Sequence, residues 1–136
     1  MIIIVAVDKR NGMMFNKRRQ SQDKALRERI LEIAKGKALW MNRYTAKQFE
    51  DQGGTIVDDE FLDRAGTGEF CFVENTPASP YLDRIEKIIR FCWNREYPGD
   101  MFFDVDLTDG WELEETKEFE GTSHEKITEE VYVCKK

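Results

Sequence analysis

Hydrophobic positions fall along this chain in short unbroken runs separated by stretches with helical spacing, and the alternation predicts strands interleaved with helices. Ile2 to Val7 is a continuous aliphatic run, the pattern of a strand covered on both faces. Asp8 to Gly12 reads as a turn, with Asn11 and Gly12 tolerating positive φ, and Met13 to Gln20 as a loop. Ser21 is the expected N-cap of a helix reaching about Lys35, with Leu26, Ile30 and Ile33 on one face and Gly36 as its stop. The run Ala38 to Met41 predicts a buried strand that feeds into a second helix. Thr45 and Gln48 have the spacing of a capping box for that helix, and Gly53 and Gly54 close it. Thr55 to Val57 is a short strand and Asp58 to Ala65 a helical turn or two; Phe70 to Val73, Ile88 to Trp93 and Met101 to Phe103 are further strands. Ser79 followed by Pro80 marks a helix start with Tyr81, Leu82 and Ile85 as its buried face. Trp111 to Glu120 and Lys126 to Cys134 read as two long antiparallel strands joined through Gly121 to Glu125. Strands alternating with helices and closed by a hairpin imply an α/β fold, a mixed sheet with helices on both faces.

Composition narrows the class. The 136 residues suffice for one domain with its own core, and 40% hydrophobic against 35% charged is the balance of a globular protein. No apolar run has the length of a membrane span, and the opening run ends at Asp8, too short for a signal peptide. Cys71, Cys92 and Cys134 are widely spaced and form no CxxC pair, so they read as reduced thiols in the strands of a cytoplasmic protein.

Charge is asymmetric. Residues 1–48 hold twelve Lys or Arg against four Asp or Glu, whereas residues 49–136 hold nine against twenty-three, for a net charge of -6. A basic first half suits an anionic ligand, and the cluster Asn16, Lys17, Arg18 and Arg19, with Phe15 beside it, together with Arg43, Tyr44 and Thr45 at the carboxyl end of the second strand-like run, is the candidate binding set. An acidic second half opposes a long polyanion such as duplex nucleic acid, leaving a short nucleotide as the favoured nucleic-acid ligand. The same acidity, concentrated in Asp104 to Glu130, suits a basic protein partner such as a nuclease or toxin to be neutralised, or serves to keep a sheet edge soluble. A two-zinc ribonuclease of the ribonuclease Z type gathers clusters of His and Asp, which a chain with the single histidine His124 does not assemble in the usual way; no metal site is expected. His124 beside Ser123 reads as a turn residue.

Several segments carry a resemblance. Ile2 to Met13, the helix from Ser21, MNRYT (Met41 to Thr45), GDMFFDVDLTDGWE (Gly99 to Glu112) and SHEKITEEVYV (Ser123 to Val133) resemble, in order, stretches of the dihydrofolate reductase family. The resemblance implies a dihydrofolate reductase-like three-layer sandwich: a central mixed, mostly parallel sheet with helices on both faces and a C-terminal antiparallel hairpin. It places Asp23 near the family's substrate-side acid, with a second reading as a carboxylate favoured by the helix dipole. It places MNRYT at the family's MGRxT turn, where backbone, Arg and Thr meet the cofactor phosphates.

Departures from the family pattern fall on the cofactor side first. Between Asn42 and Cys71 the chain is about twenty residues shorter than the resemblance implies, which reduces the adenosine-side subdomain. Glu74 and Asn75 stand where the family has a glycine pair that lets backbone approach the cofactor, and a carboxylate there repels a pyrophosphate. The threonine supporting the acid is replaced by Phe91 or Cys92, and the family's Trp after the first loop by Phe15. The expectation is a dihydrofolate reductase-like protein without efficient NADPH-dependent reduction, with no cofactor required, that offers a cleft to a small anion of nucleotide or pterin type. An acidic protein-binding module and an active NADPH-dependent reductase, with Asp23 as proton donor, are the alternatives.

Overall fold

The computed structural model describes residues 1–49 and 53–135. Its elements in chain order are β1 (Ile2–Val7), β2 (Gly12–Phe15), β3 (Arg18–Arg19), α1 (Lys24–Ile33), β4 (Leu39–Met41), α2 (Arg43–Ala46), β5 (Thr55–Val57), α3 (Phe61–Arg64), β6 (Phe70–Phe72), β7 (Lys87–Cys92), β8 (Met101–Phe102), β9 (Trp111–Phe119) and β10 (Ile127–Cys134), with 3-10 turns at Lys47–Phe49 and Ser79–Arg84. Seven strands form one sheet in the order β5-β4-β6-β1-β7-β10-β9. The first five are mutually parallel, and β10 and β9 turn antiparallel at the end, giving the mixed, mostly parallel sheet expected. A separate three-stranded sheet, β3-β2-β8, hangs from the end of β1.

β1 lies at the centre, and its alternation builds the two sides of the core. Ile3, Val5 and Val7 point into one apolar cluster with Phe61, Leu62, Val73, Ile85, Ile88 and Trp111. Ile4 points into the other, with Leu26 and Ile30 of α1, Phe72, Phe91, Trp93 and Ile127. A strand buried on both faces has no polar side to show, which is why its sequence is unbroken aliphatic.

Local starts and stops differ from expectation. α1 begins at Lys24 and not after Ser21, because Asp23 is the cap: its backbone is extended and its carboxylate accepts from Ala25 N and Leu26 N. α2 begins at Arg43, capped by Asn42, whose Oδ1 accepts Thr45 N at 3.0 Å; Thr45 lies inside the helix, so the Thr45–Gln48 capping box does not form. Asparagine at the strand end is an equally strong cap and comes three residues sooner. The helix expected to run on to Gly53 and Gly54 is shorter: α2 ends at Ala46 and passes into the 3-10 turn Lys47–Phe49, beyond which residues 50–52 lie outside the described residues. The stretch expected as a loop, Met13 to Gln20, is a hairpin: Met14 pairs with Arg19 and Phe15 with Arg18. The segment from Ser79 is a 3-10 turn in which Ile85 is buried but Leu82 is 47% exposed, so its apolar face is narrower than the sequence implied. The three cysteines are free thiols, all in strands; Cys71 is buried and the other two partly so.

The β2–β3 hairpin turns through Asn16 and Lys17, whose φ angles of 52° and 64° are both left-handed, the requirement of a two-residue turn of type I′. Asparagine tolerates this conformation and lysine does not. Lys17→Gly is therefore expected to stabilise the fold by about 0.5–1 kcal/mol, the relief of left-handed strain less the added chain entropy of glycine. Urea unfolding checks it; a lower midpoint would mean the lysine stem contributes packing that outweighs the strain.

Candidate functional site

Asp23 is 1% exposed, and its carboxylate meets donors on every side. Oδ1 accepts from Ala25 N at 2.9 Å, Leu26 N at 3.3 Å and Thr122 N at 2.9 Å. Oδ2 accepts from Ser123 N at 2.8 Å and from the His124 ring at 2.9 Å. The start of α1 is thereby tied to the turn between β9 and β10, a hundred residues away. Only glycine fits at 121, since a Cβ there would lie 2.7 Å from both Asp23 Oδ2 and the His124 carbonyl oxygen. Burial alone would raise the Asp23 pKa, but the bonds from His124, Thr122, Ser123 and Leu26 outweigh it and hold the carboxyl down at about 2.

An ionised Asp23 only accepts, so His124 Nδ1 carries the hydrogen of that bond, and in the neutral form of the ring Nε2 is left as an acceptor. Ser21 Oγ and Tyr97 Oη both stand 3.0 Å from Nε2. Trp93 stacks on the imidazole at 4.4 Å between centroids and 24° between planes. Asp8, buried after β1, accepts Tyr97 N at 3.0 Å and so holds the 94–98 segment that delivers Tyr97. The single histidine sits in the β9–β10 turn, as expected, but its ring is buried among Asp23, Ser21, Tyr97 and Trp93.

A second constellation lies at the carboxyl ends of β4 and β6. Arg19 forks onto Glu74 through Nε at 2.9 Å and a terminal nitrogen at 3.2 Å, and its guanidinium lies 4.4 Å from the Tyr44 ring centroid. Tyr44 Oη accepts Arg19 N at 2.7 Å. The hydroxyl of Thr45, fully buried, donates to Glu74 at 2.9 Å, and Asn42 donates to Asn75 at 2.7 Å. Glu74 is therefore neutralised in place by Arg19 and Thr45.

Between the two constellations the space is almost filled. Ala6, Leu26, Phe72 and Trp93 on the apolar side and Arg19, Ser21, Gln48 and Glu74 on the polar side enclose about 10 Å³, room for about one water. Gln48 Nε2 is buried in this region without a hydrogen-bond partner among the described residues. Outside it, an open groove of about 420 Å³ runs along the hairpin, lined by Phe15, Asn16, Arg18, Arg19, Gln20, Tyr97 and Pro98.

The candidate residues from the sequence divide accordingly. Arg19 and Thr45 converge on Glu74, with Tyr44 against Arg19, and Asn16, Arg18 and Arg19 share the outer groove. Arg43 joins neither; it is 81% exposed and paired with Asp59 at 2.6 Å. Sequence reasoning missed His124 as the partner of Asp23. The available signal was Gly121-Thr-Ser-His, a run of small residues that lets a hairpin backbone press against a carboxylate.

No protein-family model and no curated protein matches the chain. Among solved structures, the dihydrofolate reductase of Enterococcus faecalis, complexed with NADP(H) and RAB-propyl, is similar over 100% of this chain and 97% of that one, with a TM-score of 0.69 and 14% sequence identity. The likeness is one of fold. The chain thus has the dihydrofolate reductase-like architecture that its segments resemble, and among the described residues no helix is long and apolar enough to cross a membrane.

Because the folded pKa of Asp23 lies below its ordinary value of 3.8, the stability it confers is present above pH 4 and is lost as pH falls towards 2, a contribution of about 2 kcal/mol. Asp23→Asn is expected to lower stability at pH 7 by about 2–4 kcal/mol, since its amide NH₂ would face backbone donors, and to flatten the stability profile between pH 4 and 2. Urea unfolding across that range is the measurement, and an unchanged slope in the variant would show that other carboxylates carry the acid sensitivity.

Proposed function

We propose that this is a dihydrofolate reductase-like protein without efficient NADPH-dependent reduction, and that it binds a small anion of nucleotide or pterin type on the outer face of the hairpin. The observation that carries the first half is Asp23. Five hydrogen bonds from its own chain occupy the carboxylate, so it has no face for a substrate and, at a pKa of about 2, no proton to give near neutrality. The residues present do not fit a nicotinamide dinucleotide. Glu74 follows the end of β6 with its carboxylate locked to Arg19 and Thr45, and about 10 Å³ of free space is far below the several hundred that such ligands fill.

The outer groove supports the second half. It is large enough for a nucleotide, Phe15 is 46% exposed beside it, and Arg18 forms no ion pair among the described residues. An exposed aromatic next to an unpaired guanidinium matches a planar ring carrying a phosphate or carboxylate. Calorimetry with NADPH is expected to show no binding up to millimolar concentration. With guanosine and adenosine monophosphates as probes, binding is expected, and Arg18→Ala should weaken it about tenfold without altering stability. Micromolar NADPH binding would restore the reductase reading; equal nucleotide affinity in Arg18→Ala would remove the groove.

A basic protein partner is the second reading, favoured by β9. This nine-residue strand ends the sheet, is exposed on both faces, and carries Glu112, Glu114, Glu115 and Glu118. Salt-sensitive capture of one basic protein, lost when these four are changed to Gln, is the outcome that supports it.

A further inference from the structure

Neither the substrate acid of the related fold nor an anion groove accounts for what surrounds His124. Three side chains from two distant segments stand in line: Ser21 Oγ at 3.0 Å from His124 Nε2, and His124 Nδ1 at 2.9 Å from Asp23 Oδ2. Each link has the direction that nucleophile activation requires. The carboxylate fixes the hydrogen on Nδ1 and leaves the Nε2 lone pair facing a hydroxyl. Trp93 stacked on the ring and the Thr122 and Ser123 amides on the carboxylate keep base and carboxylate from rotating away. Ser21 itself precedes the helix, is only partly buried and lines the small cavity. In the same cavity stands the amide of Gln48, a buried donor with no acceptor among the described residues.

We propose that Ser21 is an activated serine that cleaves small acyl esters, with His124 as its general base, Asp23 as a positioning residue and the Gln48 amide as a donor to the developing oxyanion. Ser21 Oγ attacks the ester carbonyl carbon as its proton passes to His124 Nε2. The C–O bond to the leaving group breaks, and the departing oxygen takes the proton from Nε2. A water then attacks the acyl-serine, giving its proton to the same nitrogen, and the carboxylic acid leaves as Ser21 recovers its hydrogen. The cavity, with room for about one water, leaves no depth for an acyl chain, so the substrate is restricted to the smallest acyl groups, of the acetyl class, held at its mouth with the leaving group outside. Tyr97 Oη competes with Ser21 for one lone pair, so it restrains the serine in the resting protein.

The test is acylation of the full chain by p-nitrophenyl acetate, followed by p-nitrophenolate release and by mass-spectrometric location of the acetyl group. The chain holds two other serines, Ser79 and Ser123, as internal references. Acetylation of Ser21 at least tenfold faster than of Ser79 is expected, abolished in Ser21→Ala and raised several-fold in Tyr97→Phe. His124→Gln should lower it at least tenfold. Should that variant not fold, Ser21→Cys replaces it: alkylation of the introduced thiol by iodoacetamide at pH 6, at least tenfold faster than that of Cys134, reports the base directly. Ser21 reacting no faster than Ser79, or an introduced thiol no faster than Cys134, overturns the proposal. Nucleotide binding is read by calorimetry and acetylation by mass spectrometry, so failure of the anion groove and failure of this site are separately visible.

Discussion

One buried carboxylate governs how the two ends of this chain meet. Taking an ionised carboxylate out of water costs several kcal/mol unless donors replace the lost hydration, and Asp23 recovers it from four backbone amides and a histidine. Those donors come from the first turn of α1 and from the turn between β9 and β10. The helix cannot shift along the sheet, nor the hairpin lift from it, without leaving the charge uncompensated. Gly121 is part of the same constraint, because any side chain there would displace the backbone that supplies the amides.

The fold was largely legible because it is written in periodicity. An aliphatic run such as Ile2 to Val7 has few alternatives to a doubly covered strand, and the order of runs specified the sheet direction and the closing hairpin. Helix starts were less legible. Ser21, Asp23 and Asn42 are all competent caps, and which one is used depends on tertiary partners, here the amides of residues 122 and 123, that no local window contains. The site was legible only in part for the same reason. Arg19 and Glu74 are 55 residues apart and Asp23 and His124 are 101 apart, so their pairing exists only once the sheet is assembled.

The charge asymmetry of the sequence has a structural meaning that composition hides. Arg19–Glu74, Arg29–Glu129 and Arg43–Asp59 each join a cation of the first 48 residues to an anion of the remainder, so part of both excesses is consumed internally. Of the more buried pairs, Arg29–Glu129 ties α1 to β10 and Arg19–Glu74 ties the β2–β3 hairpin to the segment after β6 through charge-assisted bonds, whereas the exposed Arg43 pair contributes little. Among the charges in no ion pair of the described residues are Lys17 and Arg18 at the hairpin tip and Glu112 and Glu114 on β9, the last strand of the seven-stranded sheet.

A fold shared at 14% identity carries geometry and not chemistry. The crevice at the carboxyl ends of parallel strands is where such sheets place ligands, because loops and helix starts converge there whatever their sequence. In this chain that crevice is occupied by its own side chains: Trp93 against His124, Glu74 between Arg19 and Thr45, and Tyr44 beneath the guanidinium. Filling a cleft with hydrogen-bonded pairs adds packing where a binding protein keeps space, and it converts groups that would contact a substrate into groups that contact one another. The exceptions are the informative ones. Ser21 lines the small cavity beside a base held in place, and Arg18, in no ion pair among the described residues, lines an open groove.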